Sequence, residues 1–292
     1  MVLNRLEGTP LSRCIEGLSH SDRRRVAKKL GAIFREMLSV HSRVSGKLML
    51  RGRDKSLQTH LHVAPWYEND SEDYPPFCTA TSSTDAGKIL VSGLSAWKSE
   101  EHRLRPGTLY KPHLIGRLIT VAEQLDETGC LNDIPVTLGH FDFDPRNVMV
   151  RFDAKGPTQK LAVSGILDWD SAALVPAFMS CVPPSWVWAD WSAVDGEESD
   201  EDSGEDSGED VVSGGYYQPS TPEGVELKRL FDEAAGTVYR RFAYEPNYHF
   251  AKRLMRFIME GMKSNEATRE RRKLCFSRGS RRHIAQLKPT SS

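Results

Sequence analysis

Apolar residues recur at helical spacing in five stretches of the chain, and each stretch predicts a helix with one buried face. Over residues 22–39 the apolar positions are Val26, Leu30, Ile33, Phe34, Met37 and Leu38. Ser21 or Asp22 is the expected cap, and Arg23, Arg24, Arg25, Lys28 and Lys29 fill the opposite, solvated face. The same period predicts helices over 87–104, through Leu90, Leu94 and Trp97, and over 111–131, through Leu114, Leu118, Val121, Ala122 and Leu125. The second of these leads straight into Leu138-Gly139-His140 and is expected to be a central helix supporting that segment. Thr221-Pro222-Glu223 reads as a helix start, with a cap, a proline in the first turn and an acid beside the dipole. Leu227, Leu230, Phe231, Ala234, Val238 and Phe242 give the face that follows, and a last helix from about Asn247 carries Tyr248, Ala251, Leu254, Met255, Ile258 and Met262.

Between the helices the pattern shortens into strands. GKLMLRG and LQTHLHVAP lie between Ser45 and Pro65, with His60 and His62 on one strand face as exposed residues rather than metal ligands. VMVRF and KLAVSGIL are separated by the turn signal Asp153-Ala154-Lys155-Gly156-Pro157, which predicts a hairpin. Leu3 to Leu11 reads as a short strand ending in Glu-Gly-Thr-Pro, and Glu68 to Gly87 as an exposed loop.

Two segments carry a high density of charge. Asp195 to Asp210 holds ten carboxylates and no cation, so it is expected to be a disordered insert. Ser199, Ser203 and Ser207 each have an acid three positions on, as acidophilic kinase sites do. From Lys263 the chain turns basic, and this tail could serve nuclear import or pair loosely with the acidic insert. With Phe276 as nearly its only aromatic, sequence-specific nucleic-acid binding is not expected. The whole chain of 292 residues has a formal charge of −1, which gives no overall attraction to nucleic acid or an anionic membrane. Five scattered cysteines without C-x-x-C spacing suit a reducing compartment. No apolar leader or long apolar run predicts export or membrane insertion, so the expected location is the cytoplasm, with the nucleus as the alternative.

Candidate chemistry gathers between Leu138 and Asp170. His140, Asp142 and Asn147 form an H-x-D-x-x-x-x-N pattern, and Asp168 follows the second of the hairpin runs. Phosphoryl transfer from a nucleotide needs one carboxylate aimed at an acceptor hydroxyl and oxygen ligands that hold magnesium against the phosphates. Asp142 fits the first role and Asn147 with Asp168 the second. The predicted hairpin would bring Asp168 back beside Asn147.

GHFDFDPRNVMV followed by GILDWDSA resembles the aminoglycoside phosphotransferase-like (choline-kinase-like) branch of the protein-kinase-like superfamily, with signatures similar to H-x-D-x-x-P-x-N and I-D-W-[DE]. CVPPSWVW after these motifs resembles a fungal branch of that family. The resemblance runs from about Leu3 to Gly261. It implies an α+β fold: a protein-kinase-like large, mostly helical lobe over 1–263, with a hinge at 1–11 and a catalytic-loop β-hairpin; by charge and composition the acidic insert spans 195–219 and a flexible tail spans 264–292. It implies Asp142 as catalytic base with His140 beside it, Asn147 and Asp168 as ligands of magnesium and so of ATP, and Arg146 and Asp170 as supporting residues. His41 is expected to be structural, hydrogen-bonded near the catalytic loop.

Trp169, Phe178, Trp186, Trp188 and Trp191 suit either a platform for sugars or bases or core packing, and core packing is the expectation. No Gly-rich loop or V-A-I-K-like strand precedes the hinge, so the N-terminal sheet lobe of such kinases is expected to be absent from this chain. Two functions follow. One is ATP- and magnesium-dependent phosphoryl transfer to a small-molecule hydroxyl, with the sheet lobe supplied from elsewhere. The other is an inactive pseudokinase or remnant that binds a protein partner.

Overall fold

The computed structural model describes residues 6–51, 60–64, 85–104, 110–153, 160–189 and 218–260. Helices and strands are mixed in an α+β fold. In chain order the elements are β1 (Thr9–Pro10), α1 (His20–Ser39), β2 (His41–Ser42), β3 (Gly46–Arg51), β4 (His60–Ala64), α2 (Ala86–Leu104), α3 (Tyr110–Glu127), β5 (Val136–His140), β6 (Val148–Asp153), β7 (Lys160–Ile166), β8 (Ala172–Pro176), the one-turn α4 (Ala177–Ser180), α5 (Pro222–Tyr244) and α6 (Pro246–Glu260). Short 3-10 turns occupy Leu11–Arg13, Pro145–Asn147, Trp169–Ser171 and Ser185–Val187. The exposed loop expected before α2, the tip of the expected hairpin turn, the acidic insert with its three serines, Trp191 and the basic tail lie outside the described residues. No helix among the described residues is long and apolar enough to cross a membrane. The chain divides into two compact units, Met1–His41 with Thr137–His249, and Ser42–Val136 with Phe250–Ser292.

In the first unit α1 packs along α5. The helix starts two residues earlier than the pattern suggests, because Ser19 is the cap: its Oγ accepts from the Asp22 amide at 3.2 Å and donates to the Asp22 carboxylate at 2.6 Å. Asp22 thereby serves as the reciprocal acid in the first turn rather than as the cap. Val26, Leu30, Phe34, Met37 and Leu38 are buried as expected, Ala27 is buried beside them, and Ile33 is half-buried. Gly31 permits a close approach of the two helices, since a Cβ there would stand 2.4 Å from the carbonyl oxygen of Phe231.

Helix α5 departs from a single helical phase. Thr221 caps it and Pro222 opens it, but Gly236 is not helical (φ 91°, ψ 177°), a conformation that only glycine adopts without strain. The turns beyond Gly236 are re-phased, so Tyr239 is buried whereas Val238 is 55% exposed. The Tyr244 hydroxyl donates to Asp232 at 2.7 Å. Twelve residues of straight helix would separate them by about 18 Å, so the chain folds back at the glycine. Phe231 and Tyr239 then lie 5.4 Å apart, each 5.4 Å from Phe34, in edge-to-face contact.

The same unit holds the hairpin that the turn signal predicts. Strands β6 and β7 pair antiparallel from Val148↔Ile166 to Asp153↔Lys160, with an irregularity at Met149/Val150. Strand β1 adds to β6 through Thr9↔Val150 and Pro10↔Met149. Strands β5 and β8 are hydrogen-bonded neighbours, and every residue of β8 is buried.

In the second unit β3 and β4 form an antiparallel pair from Lys47↔Ala64 to Arg51↔His60. Asp85 caps α2 by accepting from the Lys88 amide at 3.1 Å. Leu90, Leu94 and Trp97 of α2 and Leu114, Leu118, Ala122 and Leu125 of α3 are buried, as their spacing predicts. The Trp97 indole donates to the Ile258 carbonyl of α6 at 3.2 Å.

Candidate active site

From His140 to Asp144 the side chains divide into inward and outward ones, and that division separates anchor from chemistry. His140 and Phe143 turn inward. The Phe143 ring meets Phe34 at 4.8 Å and stacks on Trp186 at 6.3 Å, while the Trp186 indole donates to the Phe143 carbonyl at 3.1 Å. Asp142 and Asp144, on either side of Phe143, point the other way and remain partly accessible. Asp144 caps the turn Pro145–Asn147 by accepting from the Arg146 amide at 2.9 Å, and Pro145 stiffens its first position.

Within this frame Asp142 is held at both carboxylate oxygens. Oδ1 accepts from Arg146 Nη2 at 2.7 Å and Oδ2 from Asn147 Nδ2 at 2.9 Å. The same Asn147 nitrogen donates to the Asp142 backbone carbonyl at 2.9 Å. The Arg146 guanidinium holds the Asp142 carboxyl below the usual carboxylate range; partial burial opposes the effect and the Asn147 amide adds to it. Asp142 is therefore an ionised acceptor in a fixed orientation.

His140 ties this loop to the far end of the hairpin. Its Nε2 donates to the Leu167 carbonyl at 2.9 Å, and its Nδ1 accepts from the Asp142 amide at 3.3 Å. A carbonyl on one side and an N–H on the other select the tautomer protonated at Nε2. The Leu167 amide in turn donates to the Asn147 carbonyl at 2.8 Å. Leu167 is thus bonded at both ends, and the next residue, Asp168, starts from a fixed point beside the loop. This is the juxtaposition the motif spacing predicts for Asn147 and Asp168.

Asp168 has φ 59° and ψ 59°, left-handed backbone that is uncommon outside glycine. A short polar side chain tolerates it best. The turn that follows presents Asp168, Trp169 and Asp170 at the surface. The Trp169 ring rests edge-on against His140 at 4.8 Å, and its indole donates to the Ile166 carbonyl at 3.0 Å. Asp170 is exposed and has no side-chain hydrogen bond to the described residues.

The structure therefore brings together His140, Asp142, Arg146, Asn147 and Asp168, and leaves Asp170 at the margin. His41 lies in β2 with its side chain exposed. Among the tryptophans, Trp188 is buried in the core as expected, as is Phe178, whereas Trp169 is 38% exposed. Sequence reasoning missed the brace of Phe34 and Trp186 on Phe143. Its only trace is the placement of an aromatic between two aspartates.

The side-chain atoms left without a donor here are oxygens, the atom type that magnesium takes. With the Asn147 nitrogen committed to Asp142, the remaining side-chain atom is the carbonyl oxygen, and Asp168 adds an exposed carboxylate. Among the described residues no three His, Cys, Asp or Glu side chains cluster as a closed metal cage. An ion held by one amide oxygen and one carboxylate would need phosphate and water oxygens to complete its shell, which is the habit of magnesium. A cleft of about 500 Å³ opens elsewhere in the same unit, at Arg23, Trp188 and the first turn of α5, and none of the site residues lines it. Comparison with protein-family models, with curated proteins and with solved structures finds no match to this chain.

Proposed function

We propose that the chain is the kinase-like large lobe of an aminoglycoside phosphotransferase-like protein, and that it transfers a phosphoryl group from a nucleoside triphosphate to a small-molecule hydroxyl. The observation that carries this reading is the double bonding of Leu167 to His140 and Asn147, which gathers a carboxylate, an amide and a second carboxylate from positions 26 residues apart. In the transfer the acceptor O–H bond breaks and its proton passes to Asp142. The acceptor oxygen bonds to the terminal phosphorus as the bond from phosphorus to the bridging oxygen breaks, and a nucleoside diphosphate leaves with the electron pair. Asn147 and Asp168 would hold the magnesium ion, which supplies neutralisation of phosphate charge. His140 fixes the loop, and Arg146 and Asn147 orient Asp142.

Thermal denaturation with and without saturating Mg-ATP tests the reading. Ligand at about 100 times its dissociation constant adds roughly 2.7 kcal/mol, or roughly 5 to 10 °C for a domain of this size. The expected result is a shift of that order that Asp168→Asn abolishes. No shift in the unaltered chain would favour an inactive binding module instead.

A further inference from the structure

The cleft of about 500 Å³ at the start of α5 lies where the chain enters and leaves residues 190–217. Trp188 and Ala189 form one wall, and Thr221, Pro222, Glu223 and Gly224 form another. The two meet at Gly224, where a Cβ would stand 2.8 Å from the Trp188 carbonyl oxygen and 2.9 Å from Pro219 Cβ. The segment between them is a loop whose two ends are fixed side by side. Its run of ten carboxylates over 195–210 begins six residues beyond Ala189, a reach of up to about 20 Å.

The third wall is Arg23 of α1. Its Nε is shut off from solvent and has no hydrogen-bond partner among the described residues. Beyond it α1 presents Arg24, Arg25, Lys28 and Lys29 to solvent. Three of the four nearby carboxylates already have cations: Arg24 meets Glu226 at 3.2 Å, Arg25 meets Asp22 at 2.6 Å, and Lys29 stands 4.0 Å from Glu36. The fourth, Glu223, sits at the positive end of the α5 dipole, 3.7 Å from His20. Arg23, Lys28 and Arg35 have no ion pair among the described residues. Lys28 and Arg35 are seven residues apart and share a face of the helix. From Arg23 to Arg35 the helix runs about 18 Å. The unmatched cations therefore form a track that starts in the cleft and has a length the acidic run can follow.

We propose that the acidic insert of this same chain, residues 195–210, is the occupant of that face, passing Arg23 at the cleft and lying along Lys28 and Arg35. Carboxylates crowded without a cation among them repel one another, and each unmatched cation within reach relieves that repulsion. Anchorage on both sides of the cleft keeps the insert at a high local concentration, so weak surface pairs suffice to hold it. An external acidic partner reaches α1 only by displacing the insert. The inference goes beyond the phosphotransferase reading and does not rest on it, since no candidate active-site residue lines the cleft.

Carbodiimide coupling of the full chain, which joins a lysine amine to a touching carboxylate as an amide, tests the contact when the products are mapped by mass spectrometry. Lys28 is expected to couple to carboxylates of 195–210, with a yield that falls several-fold between about 0.01 M and about 1 M salt, as the screening length drops from about 30 Å to about 3 Å. Arg23→Gln combined with Arg35→Gln should lower that yield several-fold. Because Arg23 is half-buried, a second variant leaves the helices untouched: with the ten insert carboxylates replaced by amides, Lys28 should react faster with acetic anhydride than in the unaltered chain. The Lys29–Glu36 pair is the internal control for the chemistry. Formation of that control product without any coupling of Lys28 to the insert overturns the proposal. Insert carboxylates coupled only to lysines of the basic tail, or only to those of a second chain, overturn it as well.

Discussion

Residues 140–147 and residues 167–171 join at Leu167, yet they are held in opposite ways. In the first segment nearly every polar side chain has a partner, and an aromatic cluster pins Phe143 from behind. In the second the chain leaves Leu167 through a left-handed residue and presents two carboxylates and a tryptophan to solvent. The difference has a chemical sense. A base must have its orientation settled before the reaction, whereas cation ligands must stay open to accept an ion that arrives with its phosphates.

The comparison breaks first if His140 is dispensable. His140→Ala removes the bonds to the Asp142 amide and the Leu167 carbonyl together with ring contacts to Phe143 and Trp169. Its expected cost is about 2 to 4 kcal/mol by urea denaturation. A loss well under 1 kcal/mol would mean that the two segments are held together by the hairpin alone.

Asp168→Gly probes the open segment. It relieves left-handed backbone at about 1 to 2 kcal/mol and adds unfolded-chain freedom of similar size. Stability should therefore change by less than about 1 kcal/mol, while any magnesium-dependent stabilisation disappears. A drop comparable to that of His140→Ala would show that Asp168 is a structural member of the clamp.

The smallest effect is on protonation. Folding lowers the Asp142 carboxyl pKa, so the contribution of its partners is fully present above the ordinary carboxylate value of about 3.9 and fades as pH falls through the folded value. In Arg146→Ala the Asp142 carbon signal, followed by NMR titration, should move its midpoint upward and this acid-side loss should shrink. An unmoved midpoint would assign the effect to other neighbours.

What was legible along the chain was local. The faces of α1, α2, α3 and α6 follow from a 3.6-residue period that depends only on nearby residues, and the β6–β7 hairpin follows from two strand-like runs with a turn signal between them. The offsets within His140, Asp142 and Asn147 were readable for the same reason, since one short loop holds all three. Helix α5 was misread because a glycine inside a periodic run looks like a tolerated interruption. Only its backbone angles reveal that Gly236 resets the phase and returns Tyr244 to Asp232. Ser19 was hidden among neighbouring capping candidates. The Phe34–Phe143–Trp186 cluster joins residues 109 and 43 positions apart, a separation that periodicity does not register. Arg146 was read as support, with nothing in the letters to say that it engages Asp142.

Leu167 also sets the order in which the site is built. Its two hydrogen bonds close loops of 20 and 27 residues, back to Asn147 and His140. Closing loops of that length costs entropy that is recovered only after the intervening strands have paired. The candidate site is therefore assembled only once β6 and β7 have zipped up to Val148 and Ile166. It is correspondingly among the first things lost when that end of the ladder frays, so exchange of the Leu167 amide is a clock for the integrity of the site.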